Sequence, residues 1–301
     1  MLRWPHALGY LRHVTSPVGA SRSARPIAAI ALAALLSGPP LSDPQLERAI
    51  EQAQRTPAIA DRIEQLSRLF LGTAYGQFPL GEASGIEPQP RWRADMVDCQ
   101  TYVETVLAMA NAASLADAKT LLDDIRYRSS PISFATRNHF AEAQWLPANE
   151  AKGYFQEETT RLDPRAPSAT LVLRREQWSK VKGLERLTTA EIPEGEFSIR
   201  YLPLAEARKL AAQFAPGSVL LIVRAADPER VVRVSHMALV VRTERGLVVR
   251  HASFGKEREV IEERVGDFLD RQATYRKWPV IGIALALPLD ARRRAEQLRK
   301  R

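Results

Sequence analysis

The chain has 301 residues, 45% of them hydrophobic and 26% charged. That balance excludes an intrinsically disordered protein and leaves room for one large or two small domains with a sizeable core. The formal net charge of +8 points to acidic partners such as cell-wall polymers or membrane surfaces; with no zinc-finger spacing and no aromatic-basic RNA motif, nucleic acid is not expected among them.

Residues 1–43 read as an export signal or N-terminal anchor. Arg3, Arg12, Arg22 and Arg25 precede an apolar run over residues 27–36, which Ser37, Gly38, Pro39 and Pro40 follow. A bilayer-spanning helix needs about 20 apolar residues, so this run is too short to span but suits a signal core. The alternative is a buried helix of the mature domain. Export implies a periplasmic or cell-envelope location. This segment holds four basic residues against Asp43 alone, so the rest of the chain carries +5.

Residues 44–289 are expected to form one catalytic domain. A helical region comes first, with stripes at Leu46, Ala49, Ile50, Ala53 and at Ile63, Leu66, Leu69, Phe70, separated by Pro57. Residues 71–76 form a glycine-bounded turn, and the proline- and glycine-rich residues 77–94 a surface loop. A helix then runs from Cys99 to about residue 113. Asp98 is its N-cap, and Val103, Val106, Leu107 and Ala110 are its buried stripe. A second helix spans 115–127 after Ser114. Residues 129–165 offer an amphipathic stretch up to Trp145 and a turn at 149–153; residues 164–203 carry no clear pattern. A short helix covers 205–214 and ends at Pro216-Gly217. Beyond it the period changes to that of strands at 218–223, 231–241, 247–251 and 280–287. Helices first and strands second favour an α+β fold, an antiparallel sheet with helices on one side. Residues 290–301 hold six basic side chains and read as a solvated tail, with a peripheral contact to membrane or anionic wall polymer as the alternative.

Cys99 is the only cysteine. At the first position of a helix, the free amides and the macrodipole favour an anion and are expected to lower the thiol pKa below its free value of about 8.5. The competing reading is a small buried hydrophobe. In an oxidising compartment structural cysteines come in pairs, so an unpaired one is easier to explain if chemistry needs it.

Three histidines, His139, His236 and His251, lie beyond residue 43. The last two sit in a predicted hairpin. A two- or four-residue loop around Glu244-Arg245 places 236 opposite 253 and 251 opposite 238. Both imidazoles then share one face of the sheet, two positions apart; a three-residue loop would separate them. A cysteine hydrolase needs one imidazole to move the thiol proton and a polar group to hold its tautomer. His236 is the candidate base and His251 the orienting group. Taken singly, each is also compatible with a hydrogen-bonded core role. A Cys/His/His zinc site is a rival, but the spacing matches no common zinc motif.

The segments Asp98-Cys99-Gln100-Thr101-Tyr102-Val103-Glu104, Leu71-Gly72-Thr73-Ala74-Tyr75, Arg126-Tyr127-Arg128, Arg137-Asn138-His139-Phe140, Ser235-His236-Met237-Ala238 and His251-Ala252-Ser253 form an ordered set. The set resembles the bacterial N-acetylmuramoyl-L-alanine amidase-like cysteine hydrolases, relatives of the NlpC-type cell-wall peptidases. The resemblance implies a papain-like (NlpC-type) α+β fold, its nucleophile helix packed on the sheet that carries the histidines. It implies Cys99 as nucleophile, His236 as base, His251 as third member, and Tyr75 and His139 as residues lining the substrate site. No metal or other cofactor is implied. The substrate would be peptidoglycan or muropeptides, cut at the N-acetylmuramoyl-L-alanine amide. The alternatives are a γ-D-glutamyl-diamino-acid endopeptidase cutting the stem peptide and a catalytically silent wall-binding module. Ala74, Met237-Ala238 and Gly217-Ser218 depart from the family's usual residues; none belongs to the expected triad.

Overall fold

Asp98 starts the helix around which the chain is built. In the computed structural model, which describes residues 41–82 and 84–300, its carboxylate accepts the Thr101 N–H at 2.7 Å, while its own N–H donates to the Thr101 hydroxyl at 2.8 Å. Two orphan donors of the first turn are thereby satisfied. The expected export signal at residues 1–43 lies almost wholly outside the described residues. Among those described, no helix is long and apolar enough to cross a membrane.

The first half is helical: α1 (Asp43–Ala53), α2 (Ile59–Arg68), the short parallel pair β1 (Ala74–Tyr75) and β2 (Met96–Val97), α3 (Cys99–Ala110) and α4 (Leu115–Arg126). Pro57 falls in the break between α1 and α2, and Ser114 caps α4. The predicted stripe of α3 is fully buried, each of Val103, Val106 and Leu107 contributing roughly 1.5–3 kcal/mol by leaving water. Burial does not stop at that stripe. From Thr101 to Ala110 every residue is buried, so α3 is an internal helix covered on all sides.

Residues 141–145 form a π-helix that runs into α5 (Leu146–Ala151), followed by β3 (Phe155–Glu157) and α6 (Thr159–Leu162). The region without a sequence pattern contains β4 (Ser168–Leu173), α7 (Arg175–Trp178) and β5 (Gly195–Arg200); β4 and β5 pair as a separate antiparallel sheet. Then come β6 (Leu202–Pro203), α8 (Leu204–Leu210), β7 (Val219–Arg224), β8 (Val234–Thr243), β9 (Gly246–Ala252), β10 (Val260–Arg264), α9 (Val265–Gln272), β11 (Val280–Pro288) and α10 (Arg292–Arg299). The main sheet has the order β10-β9-β8-β7-β11-β3, with β6 also paired to β11, and its pairings are antiparallel.

Helices cover both faces of this sheet, not one. Val219, Leu221, Val223, Met237, Leu239 and Val241 pack with α2 and α3. The alternating residues Leu220, Ile222, Ala238 and Val240 pack with Ala207 of α8 and Phe268 of α9. The reason is legible in β7, an unbroken apolar run: a strand buried on both faces has no polar side to alternate.

The C-terminal basic run also differs from the solvated tail expected. It forms α10, whose Arg294 pairs with Asp124 at 2.8 Å and whose Arg299 pairs with Asp117 at 2.6 Å, both acids on α4. Opposite charges on α4 and buried Ala295 turn the run into a docked helix.

Candidate active site

The β8–β9 hairpin carries the two histidines. Thr243 pairs with Gly246 and Leu239 with Arg250, so the loop is the two-residue one and the register is as expected. The imidazoles meet: His236 Nε2 lies 2.9 Å from His251 Nδ1, the rings nearly perpendicular at 89°. Phe268 of α9 packs against both rings.

The sequence reading missed the next link. His251 Nε2 lies 2.8 Å from Glu263 Oε1 on β10, and Arg271 of α9 donates to the same carboxylate. Burial works against a charge on Glu263, but the hydrogen bonds from His251 and Arg271 more than offset it and hold the carboxyl below the ordinary glutamate range. Residues 260–264 read Val-Ile-Glu-Glu-Arg, too short and too polar to announce a strand, and only the pairing of β10 with β9 brings Glu263 beside His251.

Cys99 sits at the first position of α3, 3% exposed. Backbone N–H groups of Met237, Gln100 and Cys99 itself favour the anionic form of its sulfur. Met237 directly follows His236, so the cysteine abuts the strand that bears the histidine pair. The thiol pKa is not lowered, as its helix position suggested, but raised. Burial outweighs the three N–H groups, and the neighbouring Asp98 charge adds to the rise. The resting group is a neutral thiol.

A narrow cleft opens beside Cys99, lined by Tyr75, Phe78, Leu80, Glu82, Asp98, Gln100 and Arg137–His139. Tyr75 and His139, expected at a substrate site, both line it. Burial first, then the nearby Cys99 and Asp98, push the Tyr75 phenol up, so it stays a hydrogen-bond donor at neutral pH. The loop expected to run over the surface instead supplies Phe78, Leu80 and Glu82 to the wall. Burial and the charge of Asp98 push Glu82 up to about 7. The segments holding Arg126-Tyr127-Arg128 and Arg137-Asn138-His139 are brought side by side by the bridge between Tyr127 and Arg137.

Behind the cleft, Glu104 and Arg126 form an ion pair at 2.8 Å, 0% and 2% exposed. The other Glu104 oxygen accepts from Gln100 Nε2 at 3.0 Å and Trp145 Nε1 at 2.9 Å. This network ties the second residue of α3, at the cleft, to α4 and to the π-helix. Among the described residues no group of three His, Cys, Asp or Glu side chains is placed to hold a metal ion.

A model of the N-acetylmuramoyl-L-alanine amidase-like family matches residues 65–275, from α2 to just beyond α9. The chain belongs to the N-acetylmuramoyl-L-alanine amidase-like family. This amidase-like chain shares its fold with solved structures of low sequence identity. One is a protein from Legionella pneumophila, 24% identical, with a TM-score of 0.71 over 87% of this chain and 96% of that one. Another is an N-acetylmuramoyl-L-alanine amidase from Bacteroides uniformis, 22% identical, with a TM-score of 0.64 over 77% of this chain and 99% of that one. No curated protein matches the sequence. The coarse activity that goes with membership is amide hydrolysis on a peptidoglycan-type substrate.

Proposed function

We propose that the protein is an exported cysteine amidohydrolase that cleaves the N-acetylmuramoyl-L-alanine amide of peptidoglycan or muropeptides through a thioester. The observation that carries this reading is the hydrogen-bonded series His236–His251–Glu263 on the sheet that abuts Cys99. An internal helix whose first residue meets an antiparallel sheet bearing the base is also the arrangement of papain-like hydrolases, which supports the NlpC-type kinship inferred from the motifs.

The hydrogen bonds assign a direction to the series. The Glu263 carboxylate only accepts, so His251 donates from Nε2. A neutral imidazole that donates from Nε2 accepts at Nδ1, so His236 donates to it from its own Nε2. His236 Nδ1 then carries the lone pair and is the base. It takes the Cys99 proton as the sulfur attacks the amide carbonyl. The C–N bond breaks, and the departing amine takes that proton from His236. Water then attacks the thioester, giving a proton to His236, which returns it to the sulfur as the acid is released. A neutral resting thiol makes this general-base step obligatory. The Cys99 N–H at the helix N-terminus and the Tyr75 hydroxyl are the donors offered to the oxyanion.

Export and a periplasmic or cell-envelope location rest on the apolar run of residues 27–36, and the net positive charge suits an anionic wall. The test uses purified muropeptides with the wild type and Cys99→Ala, chelator present, the products read by mass spectrometry. Release of intact stem peptide and sugar by the wild type alone supports the amidase. A cut within the stem transfers the function to the endopeptidase, and retention without cleavage to the binding module. Activity surviving in Cys99→Ala would sink the mechanism.

A further inference from the structure

The cleft beside Cys99 holds three unmatched side-chain atoms that can accept a hydrogen bond. Glu82 Oε2, Asn138 Oδ1 and His139 Nδ1 are enclosed atoms with no hydrogen-bond partner among the described residues, and all three residues line this cleft. Asn138 and His139 are 2% and 7% exposed, too buried for such atoms to go unmatched without cost. Asn138 Oδ1 and His139 Nδ1 are acceptors, and Glu82 Oε2 is one when its carboxyl is ionised. The Asn138 amide nitrogen is spent on the Ile125 carbonyl at 3.3 Å, which leaves the oxygen facing elsewhere. Burial and the charge of Arg137 push His139 down to about 3, so its ring is neutral. Its Nε2 lies 2.7 Å from the Phe134 carbonyl and must carry the hydrogen, so Nδ1 presents a lone pair.

The charges lean the same way. The cation in the lining, Arg137, forms an ion pair with Glu87 through Nη2 at 2.6 Å; neither that atom nor Nε makes a hydrogen bond among the described residues. Asp98 and Glu82 add negative charge. Glu82 sits near neutrality in its titration because burial and Asp98 oppose its ionisation more than Arg137, its backbone hydrogen bond and Arg126 favour it. Tyr75 opposite is a neutral phenol.

We infer that this end of the cleft is a binding subsite for a hydrogen-bond-donating group of the substrate, an ammonium or a sugar hydroxyl, with Glu82, Asn138 and His139 as its acceptors. The inference rests on the amidase reading for the identity of the substrate, a muropeptide. Such a molecule carries hydroxyls on the sugar side of the scissile amide and an amine on the diamino acid of the stem. The donor chemistry is shared by both.

The experiment separates the two sources. The full chain with Cys99→Ala is titrated calorimetrically with three muropeptides: unmodified, N-acetylated at the diamino-acid amine, and O-methylated at the sugar hydroxyls. One blocked ligand is expected to bind about ten-fold or more weakly than the unmodified one, the scale of losing a hydrogen bond to a charged or buried acceptor. Loss on N-acetylation identifies the ammonium, and loss on O-methylation the hydroxyl. Adding Glu82→Gln should shrink that discrimination to about three-fold or less. Blocked ligands that both bind as well as the unmodified one overturn the inference, as does discrimination untouched by Glu82→Gln, or no binding of the unmodified ligand. The comparison of ligands on the chain with native Glu82 decides the matter even if Glu82→Gln does not fold. Cleavage is scored separately in the wild type. Selective binding without cleavage leaves the subsite standing and removes the amidase reading.

Discussion

Replacing Glu263 by glutamine tests the direction assigned to the histidine series. Two hydrogen bonds of 2.8 and 2.9 Å across one imidazole put the carboxylate roughly 8 Å from the His236 ring, worth about 2 kcal/mol to an imidazolium there at an effective dielectric of about 20. Arg271 shares the carboxylate, and its 41% exposed side chain offsets part of that attraction, which leaves roughly 1–1.5 kcal/mol, or about one pH unit. Glu263→Gln keeps the shape and an acceptor oxygen but removes the charge. The imidazolium formed during attack is then less stabilised. The plateau of kcat/KM should fall about ten-fold, and its acidic limb should move to lower pH by about one unit, because protonation of His236 becomes harder. The assay is the pH profile of kcat/KM on a defined muropeptide between pH 4 and 9. A purely structural role would lower the plateau and leave the limb in place. A limb that stays put, or a plateau within two-fold of wild type, refutes the assigned direction.

Glu104→Ala should cost about 3–5 kcal/mol in urea unfolding, since it strands the Arg126 guanidinium in a site 2% exposed; a loss under about 1 kcal/mol would show that the network bears little of the stability. His139 gives stability a pH slope. Its folded value is depressed to about 3, so the unfolded chain binds the proton first and stability drains away as pH falls below about 6.5, by up to about 1.4 kcal/mol per unit. His139→Gln, which retains a donor for the Phe134 carbonyl, should flatten that slope, so that wild type loses about 2 kcal/mol more than the variant between pH 7 and 5. Burial keeps the Cys99 thiol protonated, so the difference in absorbance at 240 nm between wild type and Cys99→Ala should show no thiolate step below about pH 9; a step near neutrality would restore the helix-dipole expectation.

What the sequence determined by itself was local. Asp98 as cap, the stripe of α3, Ser114 before α4 and the Glu244-Arg245 loop are short-range features, written in capping chemistry and in periods of 3.6 and 2. The hairpin loop length alone decides whether two imidazoles share a face, so the meeting of His236 and His251 was legible before any tertiary contact. Tertiary structure decided the rest. Glu263 reaches His251 only because β10 pairs with β9, and the residues of β10 are too few and too polar to declare a strand. The basic run after Asp290 became a docked helix because acids on α4 happened to face it. The thiol of Cys99 was expected to be acidic from its place at a helix start, yet its burial among α3, β8 and the loop of residues 77–94 reversed the direction. A helix terminus is a property of neighbours in sequence, whereas desolvation is a property of everything that closes over an atom, and here the second outweighs the first.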